Sequence, residues 1–353
     1  MLITRVLAKL EPGGAQLSLL RISRELDARG HRTRLLVGYA TAAGVDLARA
    51  HGLEPELMDP HTTDLQWRAD PAFAAWLAPR LQDADVVHAH MFGGWWAAAR
   101  AVPAGVPLFA SEHNDYLWPA LPQWPAMAEA ASRIDRFYAH SPGARAGVLR
   151  AGMREERITR GTSPVDGLDA VPRQGLPRER IVYTGRLSAD KGPDVLIEAI
   201  GLMEASPPVY ILGAGPLEPA LRARIAELGL GGLVTMPGWR DDPATWVAGA
   251  TVQACPSRDE AFSQAAVLAM GLGVPVVGTR VDGFPETLAE DRGLIVEPDD
   301  PAALAWALQE VVDGARGTDI AGARTWAQQF EVSRVASRYE ADYGERAFPL
   351  VAA

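Results

Sequence analysis

Lysine and cysteine are scarce in this sequence of 353 residues. Lys9 and Lys191 are its only lysines, and arginine supplies the rest of the positive charge. Chemistry that needs a lysine nucleophile therefore has only two positions at which to occur. The single cysteine, Cys255, excludes an internal disulfide and is consistent with a reducing cytoplasm.

Long apolar segments are also missing. No stretch reaches the ~18 uninterrupted apolar residues of a membrane-spanning helix. The N-terminal segment MLITRVLAKL lacks the apolar centre and small-residue cleavage site of a secretory signal. These absences predict a soluble, cytoplasmic protein.

Positive charge is not in excess. The sequence has 44 acidic residues against 34 lysines and arginines, for a net charge of -10. Nucleic acid is therefore not expected as the main partner, because proteins that bind a phosphate backbone normally carry a basic face. Arg21, Arg24 and their neighbours leave room for transient contact with a membrane surface. The sequence does not indicate an oligomeric state.

The hydrophobic content and the pattern of apolar residues favour two α/β domains. A hydrophobic share of 48% is enough to fill two cores. Short apolar runs alternate with stretches of helical periodicity, which is typical of parallel strands joined by crossover helices. Predicted strands in the first half include 34–37, 86–88 and 107–110, and those in the second half begin at 181, 209, 233, 252 and 274.

The boundary between the domains is predicted within 161–180, a segment rich in glycine, proline and charge that has the composition of a linker. The sequence therefore predicts an N-terminal Rossmann-like domain over 1–165 and a C-terminal Rossmann-like domain over 175–335. A final helix over 336–353 could pack back on the N-terminal domain.

Two cations lie in a loop of the second predicted domain. The segment GRLSADKG, 185–192, follows a strand and precedes a helix that is predicted to start near Pro193. It should lie at the carboxyl edge of a parallel sheet, where such folds bind ligands. Arg186 can form a forked contact with phosphoryl oxygens, and Lys191 adds a compact charge. Together they suit a diphosphate, although an isolated pair of this kind is more often a solvated surface feature.

A second loop follows the predicted strand that ends at Cys255. The helix after it is predicted to begin near Ser263, and its amide groups and dipole would favour an anion. Glu260 in this loop can accept hydrogen bonds from sugar hydroxyls, or it can serve as a carboxylate at the start of the helix.

The first half has its own candidates at strand ends. Gly13 and Gly14, in EPGGAQ, would let the backbone approach a ligand at a helix start, or would simply form a turn. His113 follows one predicted strand, and His88 and His90 end another. Such histidines can be catalytic or sugar-binding groups, or can be satisfied packing residues. No third ligand with suitable spacing accompanies the last two, so they do not predict a metal site.

Aromatic residues cluster in sequence around the same strand ends. Their faces could stack on a sugar in an acceptor pocket, or could pack in a core. Those singled out for the acceptor, together with His90, are Trp95, Tyr116 and Trp118. The acidic triplet 83–85 precedes a strand, where it is better explained as a cap than as a metal ligand.

Taken together and in order, these segments resemble glycosyltransferase family 4, the retaining GT-B enzymes that use nucleotide-sugar donors. The resemblance runs over most of the chain. Its segments are EPGGAQ, DVVHAH, GVPLFASEH, GRLSADKG, ILGAGPLEPAL, PSRDEAF, GLGVPVVGTRVDGFPE and GLIVEPDDPAALAWAL. The resemblance implies two Rossmann-like α/β domains that face each other across a cleft, with the acceptor bound by the first domain and the donor by the second.

The resemblance also implies roles for individual residues. Arg186 and Lys191 match the family's diphosphate-binding cations, and Glu260 matches the first glutamate of its E-x7-E motif. His113 matches a histidine that contacts the donor sugar near the reacting carbon. The backbone groups implied in donor binding are those of Gly13, Gly14, Ala261, Phe262 and Ser263. The implied catalytic residues are His113, Arg186, Lys191 and Glu260. No metal or other cofactor is implied, because the cations can do a metal's electrostatic work.

One position departs from the family pattern. The second glutamate of the E-x7-E motif falls on Leu268. In the family that carboxylate usually binds the ribose hydroxyls of the nucleotide, which leucine cannot do. Either another group holds the ribose, or the nucleotide binds differently or more weakly, or the donor is unusual.

The activity implied is the retaining transfer of a sugar, as in hexosyltransferases, from a nucleoside-diphosphate sugar to an acceptor hydroxyl. The acceptor is left open between a small molecule, a glycan and a lipid-linked molecule. A nucleotide-sugar epimerase or a non-catalytic nucleotide-sugar-binding protein are alternatives with related folds. An NAD-dependent oxidoreductase is disfavoured, because Leu217 and Glu218 stand where a third glycine would be required.

Overall fold

The computed structural model describes residues 1–58, 64–113 and 124–347. The chain divides into two compact units. The first unit contains Met1–Pro164 and Val332–Ala353, and the second unit contains Val165–Glu331. Residues 165–180, whose composition predicts a linker, belong to the second unit. Leu168 in this stretch is buried and packs over Gly271.

The described part of the first unit has a seven-stranded sheet in which every pairing is parallel. Its strand order is β3-β2-β1-β4-β5-β6-β7. The strands are β1 (Leu2–Leu10), β2 (Arg32–Ala40), β3 (Pro55–Leu57), β4 (Val86–His90), β5 (Leu108–Glu112), β6 (Arg136–Ala139) and β7 (Ile158–Arg160).

Helices connect these strands and cover the sheet with their apolar sides. In the first helix, Leu19, Ile22 and Leu26 recur at helical spacing and are buried, so they form the apolar side that packs in the core. The chain leaves that helix through Gly30, which adopts φ +90°. The helices are α1 (Gly14–Ala28), α2 (Ala42–Ala50), α3 (Pro71–Leu77), α4 (Phe92–Ala101), α5 (Trp124–Arg133) and α6 (Pro142–Arg150).

The second unit has a six-stranded parallel sheet with the order β10-β9-β8-β11-β12-β13. Its strands are β8 (Ile181–Thr184), β9 (Val209–Leu212), β10 (Val234–Gly238), β11 (Val252–Cys255), β12 (Val276–Thr279) and β13 (Leu294–Val296). Its helices are α7 (Pro193–Leu202), α8 (Glu218–Glu227), α9 (Pro243–Val247), α10 (Gln264–Gly271), α11 (Phe284–Thr287), α12 (Pro301–Val312) and α13 (Ile320–Ala327).

The last helix, α14 (Val332–Ala347), packs within the first unit. Its Tyr343 is fully buried, and the hydroxyl accepts a hydrogen bond of 2.7 Å from Nη1 of Arg5, which is itself fully buried in β1. The same Nη1 lies 2.8 Å from Nδ1 of His88 at the sheet. At the surface, Arg29 of α1 pairs with Glu340 at 2.8 Å. Apolar, polar and ionic contacts thus all attach α14 to the first unit.

Both units are Rossmann-like parallel α/β domains, which confirms the predicted fold class. Each run singled out as a strand in the sequence overlaps a strand, although β5, β10 and β12 begin one or two residues later than predicted. Within the described residues, the final helix predicted over 336–353 falls on α14. Strands β3, β6, β7 and β13 were not singled out from the sequence. Across the described ranges, no helix combines the length and apolar character needed to cross a membrane.

Candidate functional site

Two loops of the second unit meet at the carboxyl edge of its sheet. Residues 185–192 follow β8 and residues 256–263 follow β11, and these strands are neighbours. The ammonium nitrogen Nζ of Lys191 donates to Oε2 of Glu260 at 3.2 Å and to the carbonyl oxygen of Asp259 at 3.0 Å. The structure therefore brings together two of the residues that the sequence predicted for one site.

The surroundings of Lys191 keep its ammonium charged. Burial by itself would lower the pKa of Lys191, but the charges of Glu260 and Asp190 and the hydrogen bond to Glu260 raise it above its ordinary value. The lysine side chain is still 28% exposed, whereas the Glu260 side chain is only 12% exposed. This lysine can thus present a permanent positive charge to an anion that enters the loop.

Glycines allow the close approach of the loop backbones. Gly192 adopts φ +60°, and a Cβ atom there would lie 2.1 Å from the carbonyl oxygen of Pro256. A Cβ atom on Gly283 would lie 2.0 Å from the carbonyl oxygen of Ala261. Side chains at these two positions would push the loops apart, so glycine is required for the geometry of the Lys191 and Glu260 pair.

Arg186 lies earlier in the same loop as Lys191, and its side chain is exposed. The hydroxyl of Tyr183 in β8 donates to the carbonyl oxygen of Arg186 at 2.8 Å and so stabilises the turn that carries this arginine. The diphosphate-binding role of the guanidinium stays a prediction.

The start of α10 forms the other side of this loop pair. Ser263 is its N-cap, and the hydroxyl accepts a hydrogen bond of 3.2 Å from the backbone of Ala266. The half-buried ring of Phe262 contacts Phe330, with 4.9 Å between ring centroids. Because these side chains are occupied in capping and packing, the predicted donor contacts of Ala261, Phe262 and Ser263 would have to come from their backbone.

In the first unit, the glycine pair stands at the start of α1. Gly13 is the N-cap in an extended conformation, and Gly14 is the first helical residue. The carbonyl oxygen of Gly13 accepts from the backbone of Leu17 at 2.9 Å. The first turn contains no acidic residue, so no carboxylate there offsets the positive end of the helix dipole. The donor-binding role of the pair stays a prediction.

Three histidines form a row along the carboxyl edge of the first unit's sheet. His90 ends β4, His113 follows β5 and His140 follows β6. The rings of His90 and His113 are stacked with 5.8 Å between centroids, and those of His113 and His140 lie 3.9 Å apart. Burial lowers the pKa of His113 to about 4. Burial also lowers the pKa values of His90 and His140, so the row is neutral at physiological pH.

The structure corrects the predicted acceptor role of Trp95. Its ring is 1% exposed and packs edge-on against Phe92 and Phe137 in the core, so it has no face for a sugar. The indole Nε1 donates to Oε2 of Glu112 at 3.3 Å. The sequence pattern could not separate the two roles, because an aromatic on a helix after a strand suits both. Tyr116 and Trp118 lie outside the described residues, and the acceptor role of His90, which is 5% exposed, stays a prediction.

Comparison with known families covers both units. Residues 12–166 match the family described as Glycosyltransferase Family 4, and residues 178–313 match the family described as Glycosyl transferases group 1. The chain belongs to glycosyltransferase family 4. This confirms the resemblance seen in the sequence motifs, and the two matches divide the chain between them much as the two units do.

Curated relatives in this family carry the name D-inositol 3-phosphate glycosyltransferase. The relative from Streptomyces scabiei is 29% identical in an alignment of 286 positions that covers 68% of this chain and 62% of the relative. The relative from Jonesia denitrificans is 34% identical in an alignment of 178 positions that covers 46% of this chain and 42% of the relative. The chain thus matches less than two thirds of the length of these relatives.

Two solved structures share the GT-B fold with this chain. The Anabaena protein Alr3699/HepE in complex with UDP superposes with a TM-score of 0.79 at 22% identity, over 98% of this chain and 100% of that protein. Sucrose-phosphate synthase from Thermosynechococcus elongatus superposes with a TM-score of 0.78 at 20% identity, over 98% of each chain. At these identities the likeness establishes the fold.

This family 4 member has an apolar residue at the position of the second motif glutamate. Leu268 lies in α10, is 6% exposed and belongs to the apolar core of the second unit.

The acidic residues of the triplet 83–85 have structural roles. Asp83 pairs with Arg34 at 2.7 Å, and Oδ2 of Asp85 accepts a hydrogen bond from the backbone amide of Leu2 at 2.7 Å. Among the described residues, no group of three or more histidine, cysteine or acidic side chains could hold a metal ion.

Arg258 and His140 were not predicted from the sequence. Arg258 lies inside the PSRDEAF segment, but its main partner, Asp194, is 64 residues away, so no local pattern reveals the pair. His140 has a usable signal, because it directly follows the apolar residues Phe137 to Ala139. The run RFYA forms β6, which pairs with the strand that ends at Glu112.

Proposed function

We propose that this family 4 protein is a retaining glycosyltransferase that moves a sugar from a nucleoside-diphosphate donor to an acceptor hydroxyl without a metal ion. The observation that carries the proposal is the pairing of Lys191 with Glu260 at the carboxyl edge of the second unit's sheet, with 3.2 Å between Nζ and Oε2. This pair places a permanent cation beside a hydrogen-bond acceptor, as a diphosphate joined to a sugar requires.

The catalytic contribution follows from where charge develops. As the bond between the anomeric carbon and the leaving oxygen breaks, negative charge grows on the diphosphate and the sugar becomes oxocarbenium-like. Lys191 and Arg186, with the backbone amides at the start of α10, would stabilise that growing charge more than they stabilise the bound donor. Glu260 would accept hydrogen bonds from the hydroxyls of the sugar. These charges would replace the electrostatic role of a divalent metal.

Retention needs no protein nucleophile in this proposal. The leaving phosphate oxygen takes the proton of the acceptor hydroxyl, and that hydroxyl attacks the same face of the sugar from which the diphosphate departs. His113, which burial keeps neutral, would orient the sugar through hydrogen bonds and would not act as a charged acid. Donor binding is assigned to the second unit and acceptor binding to the first.

Two findings support the choice of ligands to test. The Anabaena protein with this fold was solved with UDP and with UDP-glucose, which supports a uridine nucleotide as the first donor to examine. The curated relatives are named for D-inositol 3-phosphate, which supports a phosphorylated polyol as one acceptor. Small-molecule, glycan and lipid-linked acceptors all belong in the acceptor screen.

A donor screen by thermal unfolding tests the proposal. UDP, UDP-glucose, UDP-N-acetylglucosamine, GDP-mannose and dTDP-glucose would each be added with EDTA present, because no metal is required. A ligand at 100 times its Kd should stabilise the protein by about 2.7 kcal/mol. The donor that stabilises it most would then be incubated with acceptors, and release of nucleoside diphosphate would be measured.

The results separate the alternatives. Transfer with retention supports the proposal, and loss of transfer on adding EDTA contradicts its metal-free part. Conversion of the donor to its epimer without an acceptor would identify an epimerase. Binding of a donor without turnover across the acceptor screen would identify a nucleotide-sugar-binding protein. Absence of both binding and turnover would reject all three.

A further inference from the structure

Arg258 forms an ionic contact between three loops of the second unit. Its Nη1 and Nη2 donate to the two carboxylate oxygens of Asp194 at 2.9 and 2.7 Å, in the forked geometry typical of arginine with a carboxylate. Nη1 also donates to the carbonyl oxygen of Ala189 at 2.7 Å, and Nε donates to Oδ1 of Asp299 at 2.5 Å. One guanidinium thus joins the loop after β11 to the loop after β8, to the start of α7 and to the turn after β13.

The backbone around Arg258 reinforces the same attachment. The amides of Arg258 and Asp259 both donate to the carbonyl oxygen of Asp190, at 2.8 and 3.1 Å. The next residue along one loop is Lys191, and the next along the other is Glu260. Arg258 therefore lies two residues before Glu260 and bonds directly to Ala189 and Asp190, which are two residues and one residue before Lys191. It lies where the distance between the two members of the ion pair is set.

The charge of Arg258 is already matched by carboxylates. Asp194 and Asp299 are both within hydrogen-bond distance of the guanidinium, whose side chain is 29% exposed. Hydrogen bonds to Asp194 come first among the causes that raise the pKa of Arg258, so it stays protonated. Since four of its five N–H donors are used by protein acceptors, it is suited to hold loops together and is poorly placed to bind a phosphate itself.

We infer that Arg258 is a positioning residue of the donor site, which holds the loop bearing Glu260 against the loop bearing Lys191 so that both meet the donor in one geometry. This inference rests on the proposed function. It explains why an arginine stands two residues before Glu260: lysine has the charge but lacks the planar fork that engages both oxygens of Asp194 while reaching Ala189. A small displacement of the loops would separate the cation from the leaving group at the moment of transfer.

Arg258→Lys is the informative variant, because it keeps the charge and removes the fork. With the donor and acceptor found in the screen, kcat should fall about tenfold or more while the donor KM changes by less than about threefold, as expected when an alignment realised in the transition state is lost. Asp194→Asn removes the charge of the carboxylate that Arg258 contacts, and it should lower kcat in the same way. The Kd of UDP, measured by titration calorimetry, should change little in either variant.

A double-mutant cycle separates positioning from a general structural role. If Arg258 acts through Lys191, then Arg258→Lys should lower kcat by less than about threefold in a Lys191→Ala background, so that the two effects do not multiply. Arg280→Lys is the matched control. Arg280 pairs with Glu297 at 2.7 Å and follows β12 at the same edge of the sheet, and its replacement should leave kcat unchanged.

The possible outcomes are distinct. If the wild type turns over and Arg258→Lys behaves as Arg280→Lys does, or if its effect multiplies fully with that of Lys191→Ala, the inference is overturned and the proposed function stands. If the wild type neither binds UDP nor turns over any donor, the proposed function fails, and the inference fails with it. A decrease in kcat that matches a decrease in melting temperature in both Arg258→Lys and Asp194→Asn would show a structural role and overturn the positioning role.

Discussion

Lys191 and Glu260 are 69 residues apart in the sequence, yet the lysine Nζ lies 3.2 Å from the glutamate Oε2. Lys191→Ala removes the cation of this pair. Turnover should fall by about 10² or more, because one charge contact to the leaving diphosphate is lost in the transition state. The measurement is kcat with the donor and acceptor found in the screen, and near-normal turnover would contradict the assigned role. Arg280→Ala removes an exposed cation at the same edge and serves as the control.

His113→Ala tests the first unit. Transfer should fall while the Kd of nucleoside diphosphate stays close to that of the wild type, because nucleotide binding is assigned to the second unit. Calorimetry with UDP and a transfer assay measure the two effects separately. His51→Ala is a matched control, since His51 is a half-buried histidine at the end of α2 whose ring, in the described contacts, bonds only to the carbonyl oxygen of Leu47. If UDP binding were lost together with transfer, His113 would have a different role.

Leu268→Glu tests the apolar residue in the motif. If the donor ribose lies where the family places it, the new carboxylate should tighten donor binding by accepting hydrogen bonds from its hydroxyls. A carboxylate at a position that is 6% exposed should also destabilise the ligand-free protein. Affinity must therefore be measured directly as Kd. Leu268→Gln, which is similar in size and uncharged, is the control, and equal Kd values in all three proteins would favour a ribose bound elsewhere.

Lowering the pH should destabilise the first unit. Burial is the largest cause that lowers the pKa values of His88, His90, His113 and His140 below the ordinary 6.5. The unfolded chain therefore binds more protons than the folded chain below pH 6.5, so stability falls as the pH drops from 6.5 towards 4 and is unaffected by these groups above 6.5. The loss should be about 1 kcal/mol per histidine between pH 7.5 and 5.5.

Urea unfolding followed by tryptophan fluorescence at pH 7.5, 6.5 and 5.5 measures this dependence. His140→Phe keeps a ring in the row but cannot bind a proton, so its unfolding free energy should change less with pH than that of the wild type. Equal stability of the wild type at pH 7.5 and 5.5 would show that these histidines are not held neutral by the fold.

Local sequence patterns were enough to predict the class of this fold and many of its strands. Alternating apolar runs and helical stretches indicated parallel α/β domains, since a strand buried on both faces needs a continuous apolar run. The pattern also located the Lys191 and Glu260 loops at strand ends. It was less informative for short strands such as β13, whose three residues are too few to show a period.

The aromatic cluster shows where local pattern stops being informative. A tryptophan after a strand end can face a ligand or the core, and only the packing of α4 on the sheet determines that Trp95 is buried. The same applies to the buried cation Arg5, which is an ordinary strand residue in the sequence. Its contact with Tyr343 joins positions 338 residues apart.

The sequence by itself determined the type of fold, the family and the charged residues of the loops that carry Lys191 and Glu260, because periodicity and motif spacing are properties of neighbouring residues. Only the tertiary structure decided that Lys191 meets Glu260, that Arg258 holds their loops together and that three histidines stack in a neutral row. The contacts depend on which strands lie side by side. The neutrality of the histidines depends on how far burial lowers their pKa values. Both are set by residues far apart along the chain.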